Sequence, residues 1–196
     1  MIHSKHIYFI LLAAMLSSCS DNISPVDDGL SKQILHFGNG SEPQGLDPHI
    51  VTGVPEHHLL IAMCEGLTIA NPKGGENLPG VAKSWTISPD GKTYTFFLQE
   101  DAKWSNGDQL TAADFVWSWM RILTPSLGSQ YPDMLYYVKG APEYHQGLTD
   151  DFSSVGVTAV NDLELRVELT NATPFFLKLL SHYSTYPVHK DTVLKH

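Results

Sequence analysis

Ser84-Trp85-Thr86-Ile87-Ser88-Pro89-Asp90-Gly91-Lys92-Thr93-Tyr94-Thr95-Phe96-Phe97-Leu98 is the stretch that decides the fold. Two runs rich in β-branched and aromatic residues flank Pro89-Asp90-Gly91, the composition of a β-hairpin and its turn. Working outward, Trp104-Ser105-Asn106-Gly107-Asp108 is a second turn, with Asn-Gly at its tip. Thr111 then opens a helix, and Asp114 three residues on makes a variant capping box. Phe115, Val116, Trp119 and Leu123 share one face of that helix, and Pro125 ends it. Further on, Leu163, Leu165, Val167 and Leu169 alternate with Glu164, Arg166 and Glu168, the pattern of a half-buried strand. Val157 to Val160 supplies its hairpin partner across Asn161-Asp162. Pro174 takes a helix N1 position before the apolar run 175–180. On the N-terminal side, apolar residues at 59, 60, 63 and 67 predict a helix starting just after Pro55. Ile34, Leu35 and Phe37 predict a short strand closed by Gly38-Asn39-Gly40. Helices and strands are thus both expected.

The extreme N-terminus carries a different message. Lys5 precedes an apolar run from Ile7 to Leu16, which is shorter than the roughly 20 residues a membrane-spanning helix needs. A basic start, a short apolar centre and then small residues form the pattern of a secretory signal peptide. Leu16-Ser17-Ser18-Cys19 resembles the bacterial lipobox, which makes residues 1–18 a lipoprotein signal and Cys19 the lipid attachment site. Residues 20–32 are polar, contain Pro25 and Gly29, and read as a flexible tether. Loss of Lys5 with the signal takes the formal net charge from −9 to −10. So acidic a chain is a poor match for nucleic acid or a polybasic membrane patch. Two cysteines are present, and acylation of Cys19 leaves Cys64 without a partner. Cys64 follows Leu59-Leu60-Ile61-Ala62-Met63 and is expected to be a buried structural thiol.

Several long motifs then fall in one order: Leu78-Pro79-Gly80-Val81-Ala82-Lys83-Ser84-Trp85, Ser88-Pro89-Asp90-Gly91-Lys92-Thr93-Tyr94-Thr95-Phe96, Trp104-Ser105-Asn106-Gly107, and 110–119. Together they resemble the signature region of solute-binding protein family 5, the peptide- and nickel-binding proteins of ABC importers. Gln44-Gly45-Leu46-Asp47-Pro48-His49, Gly53-Val54-Pro55-Glu56, Glu65-Gly66-Leu67, Tyr131 and the run 174–182 resemble the family's oligopeptide-binding members most. The resemblance covers about residues 33–196. It implies an α/β, periplasmic binding protein-like (type II, family 5) clamp in which two lobes close over a ligand, here incomplete, with part of domain I plus domain II. On that pattern residues 33–64 begin domain I, 65–188 form domain II, and 189–196 begin the return to domain I. The last segment reads as the start of an amphipathic helix without a capping signal. By residues alone it is a frayed end or a cut one; the resemblance implies a truncated member.

The resemblance also implies partners and sites: a peptide ligand, an ABC permease in the inner membrane, the membrane itself through the N-terminal lipid, no nucleic acid, and a monomeric state. Peptides are held in the family largely through their backbone, as an added strand. Thr52-Gly53-Val54-Pro55 resembles the segment that pairs with the ligand; from the residues alone it is a loop leading into a helix. Thr52 stands where oligopeptide-binding members carry a glutamate, which removes a charge beside the ligand. Tyr131 resembles a cleft tyrosine, although a core or surface aromatic fits its surroundings equally well. Of the four tryptophans, Trp119 and Trp104 are expected to be packing residues. His57 and His58 are adjacent, which points their rings apart on a helix, and no third ligand is spaced nearby. No metal site, cofactor or catalytic motif is expected: nucleophile elbow, zincin helix and phosphate loop are all lacking, and Gly74-Gly75 is a turn. Competing readings are a receptor for dipeptides, nickel chelate or another small solute, an adhesin or structural lipoprotein on the same fold, and a fragment without activity.

Overall fold

The computed structural model describes residues 23–195, which fall into two units, up to Gly38 and from Asn39 onward. The signal segment and Cys19 lie outside the described residues.

In the first unit, helix α1 spans Pro25–Lys32. Ser24 caps it by accepting a hydrogen bond from the Asp27 amide (3.1 Å), Asp27 and Asp28 occupy its first turn, and Lys32 pairs with Asp28 at 2.7 Å. The tether reading of residues 20–32 therefore needs correcting over 25–32. A serine cap, a first-turn proline and acidic residues at the positive end of the dipole outweigh the loop-like composition. The expected strand at Ile34, Leu35 and Phe37 is also not formed. These side chains are exposed, and no strand among the described residues pairs with them.

The second unit is built on a four-stranded antiparallel sheet. Its strands are β3 (Ala82–Ile87), β4 (Thr93–Leu98), β5 (Val157–Asn161) and β6 (Glu164–Glu168), in spatial order β3-β4-β6-β5. The opening hairpin forms as its sequence requires: Trp85 lies opposite Phe96 and Ile87 opposite Tyr94, with Gly91 at φ 69° in the turn. Cross-strand pairs Phe96–Leu165 and Tyr94–Val167 then join the two hairpins. Tyr94, Phe96, Leu98, Leu165 and Val167 are all at most 2% exposed, so one sheet face is the core. Strands β1 (Thr68–Ile69) and β2 (Leu78–Pro79) form a separate two-stranded ladder.

Helix α3 (Ala112–Leu123) packs its Phe115, Trp119, Ile122 and Leu123 side chains into this core. Asp114 Oδ2 accepts from both the Thr111 amide (2.7 Å) and the Thr111 hydroxyl (2.9 Å), so the capping box is present. The Ala112 amide donates to Asp162 O (2.8 Å), which locks the helix start to the β5–β6 turn. Short helices α4 (Ala141–His145), α5 (Phe176–Leu179) and α6 (Lys190–Lys195) complete the unit with α2 (Val54–Met63).

Helix α2 starts two residues earlier than expected, at Val54, with Pro55 inside its first turn. Its apolar stripe is only partly used: Leu60 is 2% exposed, but Met63 is 68% exposed. Cys64 is the C-cap, in extended backbone, and is exposed rather than buried. The helix ends before the stripe can carry Cys64 inward, although crowding at the surface still pushes its thiol pKa up.

Candidate functional site

The segment 47–53, which leads into α2, is held by three connections. The first runs to the last turn of α3. Arg121 reaches Asp47 with both terminal nitrogens, Nη1 to Oδ1 at 3.0 Å and Nη2 to Oδ2 at 2.5 Å. A two-pronged guanidinium–carboxylate pair fixes orientation as well as distance. The His49 amide adds a bond to Asp47 Oδ1 (3.0 Å).

The second connection is His49 itself, 1% exposed. Its Nε2 meets the Tyr186 carbonyl at 3.0 Å, so Nε2 carries the proton and donates. Nδ1 then accepts from Arg121 Nη1 at 2.9 Å. Burial, with the Arg121 charge adding to it, pulls the His49 pKa down to about 4, against the Tyr186 bond and Asp47. Burial works to raise the Asp47 pKa, but the bonds from Arg121 and the His49 amide outweigh it and hold the carboxyl below its usual range. A neutral imidazole between a cation and a carbonyl is the protonation state this clasp requires.

The third connection is the Tyr183 hydroxyl, which donates to Val51 O at 3.1 Å. Burial, with Tyr131 and Glu56 near it, pushes the Tyr183 pKa up to about 12. Tyr183 belongs to a chain segment that α3 also holds, since Trp119 Nε1 donates to Thr185 O (3.0 Å) and Ser118 Oγ accepts from the Val188 amide (2.9 Å). One helix thus clamps both segments that bracket the site.

Thr52, Gly53 and Val54 follow this clasp and are exposed. Gly53 has φ 118°, a region that side chains strain to enter, and a Cβ there would stand 2.6 Å from Glu56 Oε2. The Glu56 carboxylate is 3% exposed and accepts from the Gln44 amide at 2.8 Å. Tyr131 is half-buried and comes to the same place: it packs with Val51, Leu60, Tyr183 and Tyr186. Its ring meets Tyr183 edge-on at 6.1 Å and His182 at 5.1 Å. Tyr131 and Val51, the residue before Thr52, thus pack on the same Leu60–Tyr183–Tyr186 cluster.

Sequence reasoning missed the Asp47–His49–Arg121 clasp and the approach of His182 to His57, whose ring centroids lie 6.2 Å apart. The aspartate two residues before His49 is an Asx-turn signal, but nothing in the sequence pairs it with Arg121. His57 and His58 have ring centroids 6.1 Å apart, and the described residues contain no group of three or more metal-ligating side chains. Trp119 is 1% exposed in the core, and Trp104 packs partly buried against it. An open depression beside Thr93 and Glu168 is less suited to a ligand, because Lys92 is bonded to Thr170 O (3.1 Å) and Lys139 pairs with Glu168 (3.6 Å).

With this geometry in view, comparison with known proteins is decisive. The profile of bacterial extracellular solute-binding proteins, family 5 Middle, matches residues 77–195. The chain belongs to that family. It is 40% identical over 190 residues to the periplasmic oligopeptide-binding protein OppA of Escherichia coli (strain K12), covering 94% of this chain and 34% of that protein. Against the oligopeptide-binding protein OppA of Bacillus subtilis (strain 168) identity is 36% over 191 residues, covering 95% of this chain and 35% of the relative. Among solved structures, Haemophilus influenzae OppA in complex with the peptide RPPGFSPFR superposes with a TM-score of 0.75 at 40% identity, over 80% of this chain and 31% of that one. The unliganded open form of the murein tripeptide-binding protein MppA gives 0.75 at 35% identity, over 80% and 30%. The family 5 binding-protein fold expected from the sequence is thus shown. The chain spans about a third of the length of these relatives.

Proposed function

We propose that the protein of which these residues are part is an extracytoplasmic receptor that captures oligopeptides for an ABC importer. The observation that carries the reading is the exposed segment 52–54 at the entry to α2, anchored by the Asp47–Arg121–His49 clasp and by Tyr183. An anchored, exposed helix entry whose Gly53, at φ 118°, carries no side chain to cover its backbone supports pairing with a peptide backbone. Gly53 lets the ligand approach, Thr52 and Val54 offer backbone groups, Pro55 ends the pairing, and Tyr131 flanks it. Two relatives with OppA names lend the substrate class, and the neutral Thr52 side chain leaves side-chain preference open. The domain limits stay as the resemblance sets them: 33–64 in domain I, 65–188 as domain II, and 189–196 as the return.

Residues 1–18 act as a lipoprotein signal and Cys19 carries the lipid, which places the receptor on the extracytoplasmic face of the membrane as a monomer. The function is binding, without catalysis. Growth with labelled palmitate tests the anchor: label on the wild type and none on Cys19→Ala is expected, and label that survives the substitution overturns it.

The test of the function is calorimetry on the full-length product of the reading frame that carries these residues, titrated with mixed short peptides and with nickel chelate. Peptide binding is expected. Binding of the chelate alone would replace this reading with the small-solute one. The 196-residue chain by itself is expected to bind peptide weakly, because one lobe cannot enclose a ligand; micromolar binding by it would contradict this.

A further inference from the structure

Beside the candidate peptide edge stands a cluster of rings: His57, His182, Tyr183 and Tyr131. His57 lies in the first turn of α2, one turn from Gly53, and its amide donates to Gly53 O (3.1 Å). Its ring centroid is 5.6 Å from Tyr183 and 6.2 Å from His182. His182 lies 4.4 Å from Tyr183 at an interplanar angle of 30°, and meets the edge of Tyr131. Both histidines are half-buried, so they are reachable from solvent and partly stripped of it.

We propose that His57 and His182, backed by Tyr131 and Tyr183, form an acid-gated subsite for an anionic side chain, glutamate or aspartate, of a bound peptide. The inference rests on the peptide-binding reading above. Ser184 meets His182 Nδ1 with both its hydroxyl (2.8 Å) and its amide (3.3 Å); the amide can only donate, so Nδ1 is the acceptor and the proton sits on Nε2. No hydrogen bond from that Nε2 is found among the described residues. The helix beneath His57 begins at Gly53 with no side-chain cap, so its positive end faces the same space. Thr52 contributes no negative charge.

The charged and titratable groups facing the pair are few. Glu56 is committed to the Gln44 amide (2.8 Å), Asp133 is exposed and acts on His182, His58 lies beside His57, and Tyr183 holds its proton with its pKa at about 12. Burial and the neighbouring His57 push the His182 pKa down, against Asp133. A carboxylate placed between two imidazoles offsets both effects, so ligand and proton bind together. Neutral rings give a carboxylate only a hydrogen bond, whereas protonated ones add charge, so acidic peptides gain affinity as pH falls.

The test uses the full-length product of the reading frame. Trialanine carrying glutamate at each position in turn is titrated against its glutamine counterpart, at about pH 7.5 and about pH 5.5. At one position the glutamate-to-glutamine affinity ratio is expected to rise about fivefold or more at the lower pH, and to stay flat in His57→Gln. His182→Asn keeps an acceptor for the Ser184 amide and is expected to flatten the ratio too, with the glutamine peptides serving as the internal check on folding. A ratio that does not move in the wild type, or moves equally in His57→Gln, overturns the subsite while glutamine-peptide binding leaves the receptor reading standing. If no peptide binds at either pH, the receptor reading fails and the subsite with it.

Discussion

His49 gives the site its sharpest pH dependence. In the folded chain its pKa lies at about 4, whereas an unfolded histidine titrates near its ordinary 6.5. Between those values the unfolded chain binds a proton that the folded one refuses. The stabilisation is therefore complete above about pH 6.5 and is lost as pH falls towards about 4. From the two pKa values, the loss at pH 5 relative to neutrality is about 2 kcal/mol, approaching about 3 kcal/mol below pH 4. Asp47, held below the usual carboxylate range by the Arg121 and His49 amide bonds against its burial, adds a loss of the same sign at lower pH. The assay is urea unfolding followed by tryptophan fluorescence, with the buried Trp119 as reporter, at about pH 7.5, 6 and 5. His49→Gln provides the comparison: its amide still donates to Tyr186 O but does not titrate. It is expected to cost about 1 kcal/mol at neutral pH and to remove about 2 kcal/mol of the pH 5 loss. Wild-type and His49→Gln stabilities that fall in parallel between pH 7.5 and 5 would refute the buried neutral imidazole.

Two further substitutions separate anchoring from folding. Tyr183→Phe removes the 3.1 Å bond to Val51 O; it is expected to cost about 1 kcal/mol and to speed hydrogen exchange at residues 51–53, and unchanged exchange there would show the hydroxyl to be idle. Asp114→Ala strips the acceptor that satisfies Thr111 and is expected to cost about 1 kcal/mol in urea unfolding without changing peptide affinity.

The parts of the fold that were legible in sequence are those set by local chemistry. The Pro89-Asp90-Gly91 hairpin, the Thr111–Asp114 cap and the alternation from Leu163 to Leu169 each specify their own geometry within a few residues. Failures came where apolar content had to stand for a partner. Ile34, Leu35 and Phe37 look like a strand, yet a strand is formed by a neighbouring ladder that the described residues do not supply. Cys64 looks buried because five apolar residues precede it, yet the helix ends at Met63 and turns it outward. At the site, Thr52, Gly53, Val54 and Tyr131 came from motif resemblance, and Tyr131 packs on the same cluster as Val51, next to Thr52. The Asp47–Arg121 pair spans 74 residues and the His57–His182 pair joins a helix to a distant turn. No spacing rule reaches across such separations, because the encounter is made by α3, which holds one segment through Arg121 on Asp47 and the other through Trp119 on Thr185.

The central claim is that residues 52–54 hold a peptide by its backbone. Calorimetry of the full-length product with trialanine and with versions N-methylated at one amide at a time measures this directly. Loss of about tenfold or more in affinity is expected at one amide, where a backbone hydrogen bond to this edge is removed, with side-chain changes at the same residue having far less effect. Equal affinity for all the N-methylated peptides would contradict it.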